Sequence, residues 1–489
     1  MTEGQRWVIA MLMPALLNGG ALAAQAAESA PMAVPQNNVP EQNRNFNLTD
    51  QWREERRNDQ PAMPLPGAQK SHSIRLSEKE LLQHPQLLGR MMLLSLLKQD
   101  VAGVRLLLPL YVQLPDHDPL MAQYGEGLIA QEDGNFASAI EKYRGVLERD
   151  AALSMVRFSL AVALFMDSQL NEARAEFKAI GNDPRLPQEL RAVLEQFEKG
   201  IDRQTGLKVD ASLSYVSDPN VNNAPSQRYI DTAYGRWTLP EPQSAHGARY
   251  YLGLRQDTPL SGHFHWRNQA YVFGKYYWDK HDYDDTYSRV TSGIAWRNAR
   301  HEISVMPFFA YRWFGTEPYS QTAGLRAQES YFINRDWQIL AAAEYGRLSH
   351  KSRTFLNGHS LSASLSVVHR LSDRQYLVLG TDVGKQTAAD SSEAYDYYGL
   401  RLGHMYAWPL GITSQIDASA LRRKYRALNF FNVIQSDKDY SATLSLWKSN
   451  WSWRGFTPRL TFEYRKVDSN YVLAAYSKKQ FGVQIRKEF

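Results

Sequence analysis

Two hydrophobic periods divide this chain. From about residue 75 to 205, apolar positions recur at the spacing of amphipathic helices, and from Gly206 to residue 489 they recur every second residue. In the second region Leu207, Val209, Ala211, Leu213 and Tyr215 alternate with Lys208, Asp210, Ser212 and Ser214. Leu361, Ala363, Leu365 and Val367 alternate with Ser360, Ser362, Ser364 and Ser366; Leu460, Phe462 and Tyr464 alternate with Arg459, Thr461, Glu463 and Arg465. Each strand has one lipid-like and one wet face, the signature of a transmembrane β-barrel. Strand starts near 207, 247, 262, 285, 301, 320, 336, 358, 374, 394, 411, 438, 456 and 476 predict fourteen antiparallel strands.

The connections support the same reading. Links after even-numbered strands are tight (Asn298-Ala299-Arg300, Asn334-Arg335, Ser372-Asp373), whereas those after odd ones are longer (Asp218 to His246, Ser349 to Asn357, Ala427 to Asp437). Short turns at one barrel end and longer loops at the other are expected of outer-membrane barrels, while a soluble sandwich has no reason to keep that parity. Phe481, Val483, Ile485 and the terminal Phe489 share the outward face of the last strand. An aromatic on that closing strand is the expected signal for the barrel-insertion machinery.

In the helical region Gly127, Phe136, Ala139 and Tyr143 recur 34 residues later as Ala161, Leu170, Ala173 and Phe177. These are the small and large positions of a tetratricopeptide repeat, with Gly134-Asn135 and Ser168-Gln169 at the turns. A degenerate earlier unit is marked by Val101, Val104 and Leu108, Pro184 stops the last pair, and Pro187 to Gln204 reads as a capping helix. In this register Tyr124, Leu128, Gln131, Phe158, Val162 and Phe165 fall on the concave side and are the expected partner contacts.

Ahead of the helices, Arg6, the apolar run Trp7 to Leu17 and the small residues ALAAQA predict a secretory signal over 1–26, with cleavage after Ala23 or Ala26. Residues 27–74 are rich in Asn, Gln, Pro and charge and read as a disordered linker, leaving a periplasmic helical domain over 75–205 and an outer-membrane barrel over 206–489. Met91 to Val112 is interrupted by Lys98, Asp100 and Arg105, so it is too short in apolar run to span a bilayer as a helix. The chain has no cysteine, which removes a disulfide framework and a cysteine-linked lipid anchor. Its net charge of +5 is spread without long basic runs, and nucleic acid is not an expected partner.

No phosphate loop, HExxH or paired-cysteine motif occurs, so neither catalysis nor a cofactor or metal is expected. The HDYDD stretch reads as a solvated acidic loop, and His263 and His265 as lumen lining. The longest loop opens with Asp218 to Pro225, DPNVNNAP, dense in turn formers; it is either an exposed loop or a segment folded into the lumen as a gate.

The repeat positions, the junction where Gly206 passes into LKVDASLSYVSDPNVNN, and a barrel ending on Phe489 together resemble the surface lipoprotein assembly modulator family of Gram-negative bacteria over about residues 90–489. That resemblance implies a translocator that helps particular surface lipoproteins, or in some branches secreted proteins, cross the outer membrane. It implies a client protein, the insertion machinery and outer-membrane lipids as partners, and a monomer is expected. The long polar lead and the weak first repeat depart from the family's pattern. Two other readings remain open, a repeat-plus-barrel polysaccharide exporter and an outer-membrane channel, although two or three repeats are few for the former and the latter needs no helical domain.

Overall fold

The computed structural model describes residues 77–182, 188–232, 235–448, 450–454 and 456–488. The expected signal over 1–26, the linker over 27–74, Pro184 and Phe489 lie outside the described residues. The helical part comprises α1 (Glu78–Leu82), α2 (Pro85–Leu97), α3 (Val101–Tyr111), α4 (Pro119–Glu132), α5 (Phe136–Arg149), α6 (Ser154–Met166), α7 (Leu170–Gly181) and α8 (Gln188–Thr205). Starts are set locally: Pro85 and Pro119 occupy first turns, and the side chains of Asp100, Asp118 and Asn135 accept from backbone N–H groups of Gly103, Leu120 and Ser138.

Three turns repeat one geometry and fix the number of helix pairs. Gln99, Gly134 and Ser168 take positive φ (51°, 73° and 61°). In each case the next N–H donates to the carbonyl five residues back: Asp100 to Ser95 (2.9 Å), Asn135 to Ala130 (2.8 Å) and Gln169 to Leu164 (2.9 Å). This left-handed helix stop ends α2, α4 and α6 alike, so the pairs are α2/α3, α4/α5 and α6/α7, and the weak first unit is a full helix pair. Within a pair the repeat positions set the approach: a Cβ at Gly127 would lie 2.5 Å from Tyr143 Cε1. Ala139, Ala161, Ala173 and Phe177 are fully buried. The capping helix seals the array with Phe197, stacked on Phe177 (4.8 Å between centroids) and edge-on to Phe165 (5.3 Å).

The strands are β1 (Lys208–Asp218), β2 (Tyr229–Thr232), β3 (Gly235–Thr238), β4 (Ala245–Pro259), β5 (Phe264–Tyr277), β6 (Asp285–Arg297), β7 (His301–Phe314), β8 (Glu317–Phe332), β9 (Trp337–His350), β10 (Gly358–Ser372), β11 (Gln375–Gln386), β12 (Tyr395–Ala407), β13 (Ile412–Leu428), β14 (Ile434–Lys448), β15 (Phe456–Ser469) and β16 (Tyr476–Glu488). β1 and β4 to β16 form a closed barrel of fourteen antiparallel strands; β2 and β3 make a separate hairpin in the long loop after β1. β1 closes the sheet by pairing with β16 from Asp210↔Glu488 to Val216↔Gly482.

The predicted parity of connections holds at most positions and fails at two. β7 and β8 are joined at the long-loop end by Gly315-Thr316, both at positive φ as a two-residue hairpin turn requires, and 449–455 at the short-turn end is longer than 429–433 opposite it. At β7/β8 the chain reaches out by extending its ladder to Phe314↔Glu317 rather than by a loop. Along the strands the alternation resolves as expected: Leu213, Val290, Leu325, Leu361, Leu400 and Leu460 are exposed on the outside.

Candidate functional site

The six residues expected on the concave helical face are mostly interior. Tyr124, Leu128, Val162 and Phe165 are buried in the helical core, while Gln131 and Phe158 keep partial surface. Four of the six positions thus pack against neighbouring helices. Tyr124 and its surroundings tie the three pairs together: its hydroxyl lies 3.1 Å from Ser159 Oγ, which also accepts from Gln99 Nε2 (3.2 Å). Burial pushes the Tyr124 phenol above its usual range, opposed by the hydrogen bonds to Ser159 and Gln99. Tyr143 donates to Gln131 Oε1 at 2.9 Å. The exposed apolar face lies elsewhere, on the first pair: Leu87, Leu93, Leu94 and Leu97 of α2, and Leu106 of α3 at 76 % exposure. The sequence carries a signal for it, because Leu93, Leu94 and Leu97 fall outside the Leu88, Met92, Leu96 stripe that α2 buries.

The helical array rests directly on the short-turn end of the barrel. At the turn of the third pair, Asp167 Oδ2 lies 2.8 Å from His263 Nε2 and the Ser168 carbonyl 3.2 Å from His265 Nε2. Asn171 Nδ2 donates to the carbonyls of Pro259 (3.1 Å) and Leu260 (2.6 Å), and the Gly262 N–H donates to Glu172 Oε1 (2.8 Å). Near the end of α8, Gln204 Oε1 accepts from Arg297 Nη2 (2.7 Å). At the turn of the second pair, a Cβ on Gly134 would stand 3.9 Å from Arg300 Nη2 in the β6–β7 turn. His265 does face inward, but both histidines serve this domain contact, which the lumen-lining expectation missed.

Inside the barrel, charges are interleaved and mutually paired. Arg267, fully buried, donates to Asp257 (2.8 Å) and to Glu302, and Arg255 reaches both carboxylates (3.0 and 3.4 Å). Arg289 and Arg326 share Glu344 at 2.8 and 3.1 Å, with the Arg289 guanidinium 3.6 Å from the centre of the Phe308 ring. Arg249 pairs with Glu463, Arg401 with Asp382 (2.6 Å) and Arg465 with Asp439 (2.8 Å). Several pairs join strands that are not neighbours, such as β4 with β7 and β6 with β9, and so brace the inner wall over three strand steps. At these positions each guanidinium is faced by a carboxylate, so neither sign of charge dominates there.

At the long-loop end the DPNVNNAP segment turns inward. Asp218, Asn220, Val221 and Ala224 are buried, and Lys478 Nζ of β16 holds Asp218 Oδ2 (3.1 Å) and Asn223 Oδ1 (3.0 Å). In the HDYDD stretch, Asp284 accepts from the Tyr277 N–H (2.7 Å) and lies 3.0 Å from His281 Nδ1, while Asp285 pairs with Arg312 (2.7 Å). These carboxylates are engaged by the protein itself, and among the described residues no group of three or more His, Cys, Asp or Glu is placed to hold a metal ion. Phe481, Val483 and Ile485 all point outward from β16, Phe481 being 69 % exposed on the barrel's outer face.

Comparison with known proteins gives this architecture a family. A family model described as surface lipoprotein assembly modifier matches residues 208–489, and one for that family's N-terminal TPR repeats matches 74–177. "Surface lipoprotein assembly modifier 1" of Haemophilus influenzae is 30 % identical, covering 85 % of this chain and 87 % of its own length. The protein of the same name from Neisseria meningitidis is 30 % identical over 88 % of each chain. The "Hemophilin secretion modulator" of Acinetobacter baumannii is 22 % identical over 83 % of this chain and 86 % of its own. A helical repeat array seated on a fourteen-stranded barrel, matched by both family models, places the chain in the surface lipoprotein assembly modifier family.

Proposed function

We infer that this protein is an outer-membrane delivery factor that brings particular lipoproteins, or soluble secreted proteins, to the bacterial cell surface. The observation that carries the reading is the direct seating of the repeat array on the short-turn end of the barrel through Asp167, Ser168, Asn171 and Glu172. Short turns of outer-membrane barrels face the periplasm, so the array stands in the periplasm at the inner mouth. A repeat domain there is suited to receive a protein before it crosses. The relatives' names point to two client classes, a lipid-anchored protein in most and hemophilin in one.

The barrel enters the membrane through the usual insertion machinery, reading the outward face of β16, and works as a monomer. Of the six candidate contacts, Gln131 and Phe158 retain surface for a client. The test is protease shaving of intact cells with and without the gene, comparing surface-exposed with total client for a lipoprotein encoded beside it. Delivery predicts loss of surface exposure with the total retained. Full exposure in the deletion strain overturns the reading, and polymer retained in its periplasm transfers it to polysaccharide export.

A further inference from the structure

The first residues of the longest loop do not lie outside the barrel. Asp218 ends β1 and is 1 % exposed, and Asn220, Val221 and Ala224 after it are nearly as deeply covered. A loop in free solvent would leave small polar residues of this kind open; here each is accounted for. Asn220 closes a tight loop on itself, its amide donating to the Ala224 carbonyl (2.9 Å) and its Oδ1 accepting from the Ala224 N–H (2.7 Å). The Val221 N–H donates to the Gln243 carbonyl (2.8 Å), and the Ser226 N–H to the Ala475 carbonyl (2.9 Å) just before β16. Val221 packs with Val216, Ala245 and Tyr277.

One side chain of the neighbouring strand β16 holds this segment. The Lys478 ammonium lies 3.1 Å from Asp218 Oδ2 and 3.0 Å from Asn223 Oδ1, where the two oxygens receive it as they would a small cation. Tyr277 Oη donates to the same Asp218 oxygen at 3.4 Å. Asn223 sits at φ 47°, a conformation asparagine tolerates better than most residues, and this turns its amide oxygen toward the lysine. A buried ammonium with a carboxylate and an amide oxygen is costly to separate, so the closed arrangement persists until another partner replaces it.

We propose that the segment from Asp218 to Ser226 is a resident plug in the long-loop mouth, latched by Lys478, and that a client leaving through the barrel must displace it. The exit step rests on the delivery reading; the plug itself does not. The closed latch keeps the resting barrel shut to small solutes, and an extended polypeptide supplies the polar groups that can take over Asp218 and Lys478 as it passes.

Two variants test it. Asp218→Asn with Lys478→Met removes both charges of the latch together; replacement of residues 219–225 by a Gly-Ser stretch keeps Lys478 and Asp218 and removes the plug body. Each is first confirmed as a heat-modifiable folded barrel. In planar bilayers of purified full-length protein, the double variant and the replacement are expected to conduct at least tenfold more than the parent, and cells carrying them to admit vancomycin. Equal conductance in parent and both folded variants overturns the plug, whatever the fate of the delivery reading, since no client is present.

For the exit step, Ser226→Cys with Ala475→Cys places a disulfide across the N–H to carbonyl contact, in a chain with no cysteine of its own. With the crosslink verified by mass spectrometry, the oxidised form is expected to stop client exposure and reduction to restore it. Undiminished exposure with the disulfide intact overturns displacement of the plug during delivery.

Discussion

His263 Nε2 sits 2.8 Å from Asp167 Oδ2, and through this contact the turn of the last helix pair is fastened to the first short turn of the barrel. Asp167 is buried at the contact and also accepts from Gln169 (3.1 Å), so its loss removes an acceptor shared by two groups. Asp167→Ala is expected to weaken docking by about 1 kcal/mol, the usual net contribution of a part-buried hydrogen-bond contact. Hydrogen exchange checks it: the Gly262 amide, which donates to Glu172 across the same seam, should exchange faster while strand amides of β10 to β14 do not change. Identical exchange at Gly262 excludes a docking role for the contact.

The helix crossings give a second prediction. Gly127 has no room for a side chain against Tyr143, and Ala173 is fully buried. Gly127→Leu and Ala173→Leu should each destabilise the helical part by roughly 1–3 kcal/mol through overpacking. Calorimetry of the full chain in detergent should show the helical transition shifted down and the barrel transition in place; an unmoved helical transition in both variants removes the assigned register.

A third concerns the lumen. Arg267→Met leaves Asp257 and Glu302 facing each other with Arg255 between them, and breaking a buried network in this way costs about 3–5 kcal/mol. The exposed pair Arg105–Asp133 on the helical surface is a control, where Arg105→Ala should leave the unfolding midpoint close to that of the parent. Denaturant unfolding that ranks the two variants equally would contradict the role given to the buried charges.

The final strand supplies a fourth. Phe481 packs on Phe462 of β15 at 4.8 Å between centroids on the lipid-facing surface. Deleting Phe489, or replacing Phe481 with Ser, is expected to reduce heat-modifiable barrel in outer-membrane fractions severalfold, with the Phe489 deletion the stronger. Wild-type amounts of folded barrel in both would remove the insertion signal from this strand.

Much of this fold was legible in local pattern because its two halves obey the two simplest periods. The alternation at Leu361 to Val367 needs only a pleated strand with lipid on one side, and the recurrence of Gly127/Ala161 and Tyr143/Phe177 needs only a repeated helix crossing. The concave face was harder. A repeat helix such as α6 is apolar nearly all round, with Val156, Leu160, Ala163 and Phe165 all buried, so spacing alone does not say which side meets solvent. The parts left unread depend on chain segments distant in sequence. His263 meets Asp167 across 96 positions and Lys478 meets Asp218 across 260, and neither pairing leaves a mark on the residues immediately around it. Inward charges were visible as alternate positions, but which Arg meets which Glu is decided by strand stagger around the closed sheet.

The seam between array and barrel also carries a matter of pitch. Short turns around a barrel rim recur every two strands, a step of about 9–10 Å, and stacked helices recur at about 8–10 Å, so the turns of successive helix pairs can mesh with successive hairpins like two combs of similar tooth spacing. Ser168 meets the β4–β5 hairpin and Gly134 stands beside Arg300 of the next one, at β6–β7, while the corresponding turn residue of the first pair, Gln99, bonds back to Ser159 within the array. The comb thus engages the rim at the turns of its second and third pairs. Pairs added or lost ahead of α4 change how far the array reaches while every tooth already meshed with the rim stays where it is.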